Sequence, residues 1–167
     1  VTGVQTCALP IYLRLAEEKS SLVKFSRWDH KNSKKFTFLG FDYYWTEAFK
    51  KKGYIVLKIQ TNKKKYRGSV LAMKEWIKAA RSWPLKMILS SLRKKLRGYW
   101  NYYSVIGNER MLNRYQRAVF EVIFKWLNRR SQRKSYNWSA FLGHWFGDWL
   151  IPQPVTSRWK PEYEQSK

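Results

Sequence analysis

Between residues 68 and 130 the apolar side chains return every third or fourth position, and this regularity constrains the fold more than any other feature of the chain. Val70, Met73, Ile77 and Ala80 share one face of a first predicted helix, 68–82. Trp83-Pro84 ends it and opens a second, because proline sits well in a first helical turn. That second helix, 84–105, aligns Leu85, Ile88, Leu89, Leu92, Leu96, Trp100 and Tyr103, and Gly107-Asn108 closes it. A third, 109–130, gathers Met111, Leu112, Tyr115, Val119, Val122, Ile123, Trp126 and Leu127. Short connections make consecutive amphipathic helices antiparallel, so the three form a bundle. A shorter fourth helix begins at an Asn137-Trp138-Ser139 cap and holds Phe141, Leu142, Trp145 and Trp149. The tail from Ile151, with Pro152, Pro154 and Pro161, is predicted to be extended.

Upstream the period falls to two. Leu13–Lys24 reads as a short helical or turn segment, followed by a strand at Ser21–Phe25, and Lys31–Lys35 as a basic loop. In FTFLGFDYYW, Phe36, Phe38 and Phe41 are expected on buried faces, with Gly40 at a bend or bulge. Tyr54–Gln60 alternates as well: Ile55, Leu57 and Ile59 inward, Tyr54, Val56 and Lys58 outward. These two runs predict a β-hairpin or two edge strands, and Lys63–Lys65 a basic linker to the helices. The fold class is therefore α+β, short N-terminal strands followed by a bundle of three to four helices.

The balance of charge narrows the partners. Lys and Arg number 34 against 11 Asp and Glu, a formal net charge of +23. A domain that needs only solubility carries a net charge of about 2–8. Aromatics make up 18% of the chain, enough for a packed core and unlike a disordered basic tail. Together they favour nucleic acid over lipid, since flat rings stack on bases. No apolar run reaches the roughly 18–20 residues of a membrane span. With a single cysteine, Cys7, and only His30 and His144, the chain offers neither a disulfide framework nor a zinc cluster. Nothing in this composition suggests secretion, so a reducing cytoplasm is the expected compartment.

Catalytic signals are sparse. Asp29, Asp42 and Asp148 stand far apart, whereas a two-metal centre needs clustered carboxylates. Glu17-Glu18 is the one acidic pair and reads as a solvated face. A Walker-type phosphate loop and a recognisable nucleophilic triad are both missing. The expectation is a binding segment without a catalytic centre, metal site or cofactor of its own.

Two basic stripes carry the binding expectation. On the third helix Arg110, Arg114, Arg117, Lys125 and Arg129 recur at spacings of three, four or eight, opposite the apolar stripe. Lys86, Arg93, Lys94 and Arg97 do the same on the second, and Arg130, Arg133 and Lys134 continue past the third. Like charges at such spacings destabilise a helix, and few acids offset them, so a bound polyanion is favoured over an idle solvated face. In LRGYWNYY (96–103), Gly98 costs about 1 kcal/mol against alanine and points to close approach of another backbone. Tyr99, Asn101 and Tyr102 are expected to face solvent or RNA, where unpaired bases can stack on the rings. That all the aromatics of the octet are core is the competing reading.

The octet LRGYWNYY, with PLKMILSSLRKK before it and RRSQRKSYNW after it, resembles the maturase-specific domain of group II intron reverse transcriptases. LRLAEEKSSLVKF followed by KFTFLGFDYYW resembles the end of the reverse transcriptase palm in the same family, with serine at Ser20 where the family has threonine. IPQPVTSRW is similar to the family's short Pro-rich ending. The first eleven residues, VTGVQTCALPI, differ in kind: they resemble the in-frame translation of a common sequencing-library adapter, the alternative being a genuine N-terminal strand. If they are adapter, Cys7 is not native and the rest is part of a longer protein. The expected organisation is then 1–11 adapter, 12–62 palm end with hairpin, 63–150 thumb and maturase-specific helices, and 151–167 tail. The resemblance implies a parent RNA-directed DNA polymerase that assists intron splicing and mobility. It also implies intron RNA and a template–primer duplex as partners, rather than a membrane or a small molecule. Catalytic YADD aspartates would lie upstream, so Mg2+ is implied for the parent alone. Two other readings stay open: a stand-alone basic RNA-binding module, and a reverse transcriptase relative serving defence or CRISPR adaptation.

Overall fold

A computed structural model describes residues 22–48, 51–130 and 135–154. Three antiparallel strands, β1 (Phe36–Phe38), β2 (Phe41–Ala48) and β3 (Lys51–Thr61), form a sheet in the order β1-β2-β3. Four helices follow: α1 (Lys63–Ala79), α2 (Leu85–Tyr103), α3 (Glu109–Asn128) and α4 (Trp138–Phe146), with a short 3-10 turn at Ala80–Ser82. The α+β class holds. The adapter-like segment, most of Leu13–Lys24 and the tail beyond Pro154 lie outside the described residues.

Leu39 and Gly40 both have positive φ, +48° and +80°, which is the two-residue turn whose twist suits a hairpin between β1 and β2. Gly40 thus marks the bend expected of it. The register places Phe36 opposite Tyr43, their rings stacked at 5.0 Å. Leu22–Phe25 form no strand; instead Phe25 lays its ring on Trp45, 5.1 Å away, and edge-on to Phe36. The inward and outward alternation is corrected too. Phe41 is buried, but Phe38 and Leu57 are exposed, while Phe36, Ile55, Val56, Lys58 and Ile59 are only half-buried. Among the described residues no helix is layered over the sheet; the bundle meets it where Phe41 packs on Tyr102 and Tyr103.

That junction is polar and directional. Asn62 caps α1, its Oδ1 accepting from the backbone N–H groups of Lys64 and Lys65. Its Nδ2 donates to Asp42 Oδ1 at 2.7 Å. Lys63–Lys65 are therefore the first turn of α1, not a linker. Asn108, 1% exposed, accepts from Thr61 N–H at 2.9 Å and donates to both Thr61 Oγ1 and the Tyr103 carbonyl.

The bundle core follows the apolar stripes. Met73, Ile77, Ile88, Leu92, Leu96, Leu112, Tyr115, Val119 and Ile123 are buried together, and Phe141 and Trp145 of α4 close the far side. Val122 and Trp126, expected in the core, are half-buried; Phe120, which packs edge-on against Trp145, takes that share. After α4 the chain turns and lies along α2 as a strap. Arg93 Nε donates to the Trp149 carbonyl at 3.0 Å, and Trp100 Nε1 to the Pro152 carbonyl at 2.9 Å. Between these two anchor points Leu150, at φ +46°, turns the chain onto Ile151 and Pro152. Gln116 of α3 bonds Gln153 from the other side.

Candidate nucleic-acid interface

The basic residues of α3 stand where the spacing put them. Arg110, Arg114, Arg117 and Lys125 are exposed, opposite the buried Leu112, Tyr115, Val119 and Ile123. Among the described residues only Arg117 of these pairs with a carboxylate, Glu121 at 3.5 Å, and both side chains are well solvated, so this pair contributes little. Arg114 rests its guanidinium on the Tyr66 ring, 5.3 Å from the centroid. On α2, Lys86, Lys94, Arg97 and Asn101 are exposed, the last two edging a shallow cleft of about 220 Å³ with Trp100, Ser104, Pro152 and Gln153. Arg129 and Arg130 are exposed at the end of α3, whereas Arg133 and Lys134 lie outside the described residues.

Three expected contacts are redefined by packing. Tyr99 is not available for a base: its ring stacks on Tyr115 with centroids 3.7 Å apart and planes 14° apart. Burial pushes the phenols of Tyr99 and Tyr115 well above the ordinary tyrosine range, and the Tyr99 hydroxyl has no partner among the described residues. Tyr102 keeps half its surface exposed but donates its hydroxyl to the Leu39 carbonyl at 2.7 Å and stacks on Phe41, so it anchors the β1–β2 turn. Arg93 is half-buried and spends its Nε on the strap. No backbone approaches Gly98; a Cβ there would meet nothing within 4 Å.

The basic triplet expected as a linker belongs to the first helix. Lys63, Lys64 and Lys65 are exposed on the first turn of α1, which contains no acidic residue. Cations at a helix N-terminus oppose the macrodipole, a cost that a bound anion would offset. The signal was present in the triplet itself, but the missing apolar period before Tyr66 made it look like a connection. Lys95, 5.3 Å from the Trp76 ring centroid, and Arg81 were likewise overlooked, because neither continues a stripe.

Among the described residues no three or more His, Cys, Asp or Glu side chains come together. The buried carboxylate of Asp42 is already engaged by Lys35 at 2.6 Å and by Thr37 and Asn62 at 2.7 Å each. Burial opposes its ionisation, but these three donors prevail and hold its pKa below the ordinary value. Such residues do not fit a two-magnesium centre. Nor is any described helix long and apolar enough to cross a membrane.

Fold and surface together define a class: helices with a shared apolar core and arginine- and lysine-rich outer faces, joined to a small antiparallel sheet. Within it, residues 70–141 match the family model for the group II intron maturase-specific domain. That span runs from α1 through Phe141 of α4, the same helices that carry the exposed cations. No significant similarity to a curated protein or to a solved structure was found.

Proposed function

We propose that this chain is the RNA-binding thumb and maturase part of a group II intron-encoded RNA-directed DNA polymerase, and that it helps its intron to splice and move. The observation that carries the reading is the coincidence of the maturase-specific match at 70–141 with an α3 face whose cations largely lack acidic partners among the described residues. Backbone phosphates of intron RNA are the polyanion such a face accommodates, and the template–primer duplex of the parent polymerase offers the same chemistry. Polymerisation itself would belong to aspartates and Mg2+ of the parent, since the carboxylates described above do not cluster.

Affinity for a structured group II intron RNA, measured across a salt series, tests this. Neutralising six phosphates gives a slope of roughly −4 to −5 in log affinity against log salt. Charge reversal at Arg110→Glu and Arg114→Glu should weaken binding and make the slope shallower by about 2, with helicity retained. A flat salt dependence, or equal affinity for heparin and intron RNA, contradicts the proposal.

A further inference from the structure

A cleft of about 680 Å³ opens where the 3-10 turn after α1 meets the C-terminal end of α3, lined by Arg81, Ser82, Trp126, Arg129 and Arg130. Its contents are unusual for a surface groove. Three arginines line it, and none takes part in an ion pair among the described residues. One cation is enough to complement the carbonyl end of a helix; three around one cleft make it strongly positive, a charge that a bound anion offsets.

The side chains are also arranged. Arg130 Nη2 donates to the Trp83 carbonyl at 2.7 Å, which fixes the guanidinium, and its other N–H groups have no partner among the described residues. Arg129 lies over the Trp126 ring, 5.3 Å from its centroid, making a stacked cation and indole. Phosphate alone would need no indole, and an apolar ligand no arginines. A nucleotide needs both: a flat face for its base and guanidiniums for its phosphate.

We infer that this cleft receives a single unpaired nucleotide of the bound RNA, its base stacked against the Trp126–Arg129 platform and its phosphate between Arg81 and Arg130. The inference rests on the RNA-binding reading and adds a preference to it, because a paired base keeps its faces inside the helix and cannot enter.

The full chain is titrated with two RNA hairpins of identical stem, one fully paired and one carrying a single extrahelical uridine. The bulged hairpin should bind on the order of tenfold more tightly, the worth of one stacked base. Trp126→Ala and Arg129→Gln should each bring that ratio close to one. Arg110→Gln, on the α3 face away from the cleft, should weaken both hairpins alike and leave the ratio at its wild-type value. Arg129 is exposed, so its variant keeps the test decisive if Trp126→Ala disturbs folding. A wild-type ratio of one, or a ratio unchanged by Arg129→Gln, overturns the nucleotide site while leaving phosphate binding standing. Failure to bind either hairpin overturns the RNA-binding reading and the site with it.

Discussion

Replacing Asn108 with alanine should be the most damaging single change at the junction between sheet and helices. Its carboxamide makes three hydrogen bonds: Thr61 N–H to Oδ1 at 2.9 Å, Nδ2 to Thr61 Oγ1 at 2.8 Å, and Nδ2 to the Tyr103 carbonyl at 2.9 Å. Asn108 and Thr61 are each 1% exposed, so water cannot step in without opening the joint. An unsatisfied buried group costs about 1–3 kcal/mol. The Tyr103 carbonyl also accepts from Val105 N–H at 2.8 Å and stays paired, so the Thr61 N–H over that whole range plus the hydroxyl at its low end gives a loss of about 2–4 kcal/mol. An ordinary surface substitution stays within about 0.5 kcal/mol. Urea denaturation measures it: with a slope of about 1.5 kcal/mol/M the midpoint falls by roughly 2 M. Thr61→Val removes only the hydroxyl, so it should cost about 1 kcal/mol in the wild type and almost nothing beside Asn108→Ala. A loss below about 1 kcal/mol for Asn108→Ala, or additive costs in the double variant, would refute the reasoning.

The remaining expectations concern packing, pH and helix propensity. Tyr99→Phe removes a buried hydroxyl without a partner while keeping the stack on Tyr115, so thermal denaturation should show a gain of about 1 kcal/mol; a loss would reveal a hidden partner. Asp42→Asn should cost about 1–3 kcal/mol at pH 7. The depressed pKa of Asp42 makes its contribution complete above the unfolded value of about 3.9 and lost as pH falls towards the folded one. The gap between wild type and variant should therefore narrow at pH 3, and a constant gap would contradict this assignment. Gly98→Ala faces open space on α2 and should stabilise by about 0.5–1 kcal/mol in a melting experiment, whereas destabilisation would mean something packs there.

Legibility in the sequence followed the kind of interaction. Helices α2 and α3 could be read to within two residues, because their stripes are long and each stripe finds a partner: Leu92, Leu96, Leu112 and Ile123 are all buried as spaced. The strands could be placed but not oriented. Alternation assumes that one face of a sheet is covered, and here Phe38 and Leu57 have no layer among the described residues to be buried against. Helix α1 began five residues early because its start depends on the Asn62 cap, a side-chain hydrogen bond without hydrophobic signature. The exposed arginines of α3 were evident from spacing alone. For Tyr99 the sequence leaves the core and the solvent reading side by side, because its partner Tyr115 lies on another helix, a pairing that only the fold brings about. Arg81 and Trp126 belong to no common stripe, and their meeting depends on the corner between α1 and α2.

The strap along α2 has a consequence in time. Its anchors, Arg93 to Trp149 and Trp100 to Pro152, join residues 56 and 52 positions apart. A ribosome adding about 5–20 residues per second needs on the order of 3–10 s to make that intervening stretch. Throughout that interval α2 exists without the carbonyls that receive its indole N–H and its guanidinium Nε. A seam along the helix stays open to water, and the same donors are there for any other acceptor that arrives first. The bundle is thus closed by the chain's own later residues, in an order set by synthesis.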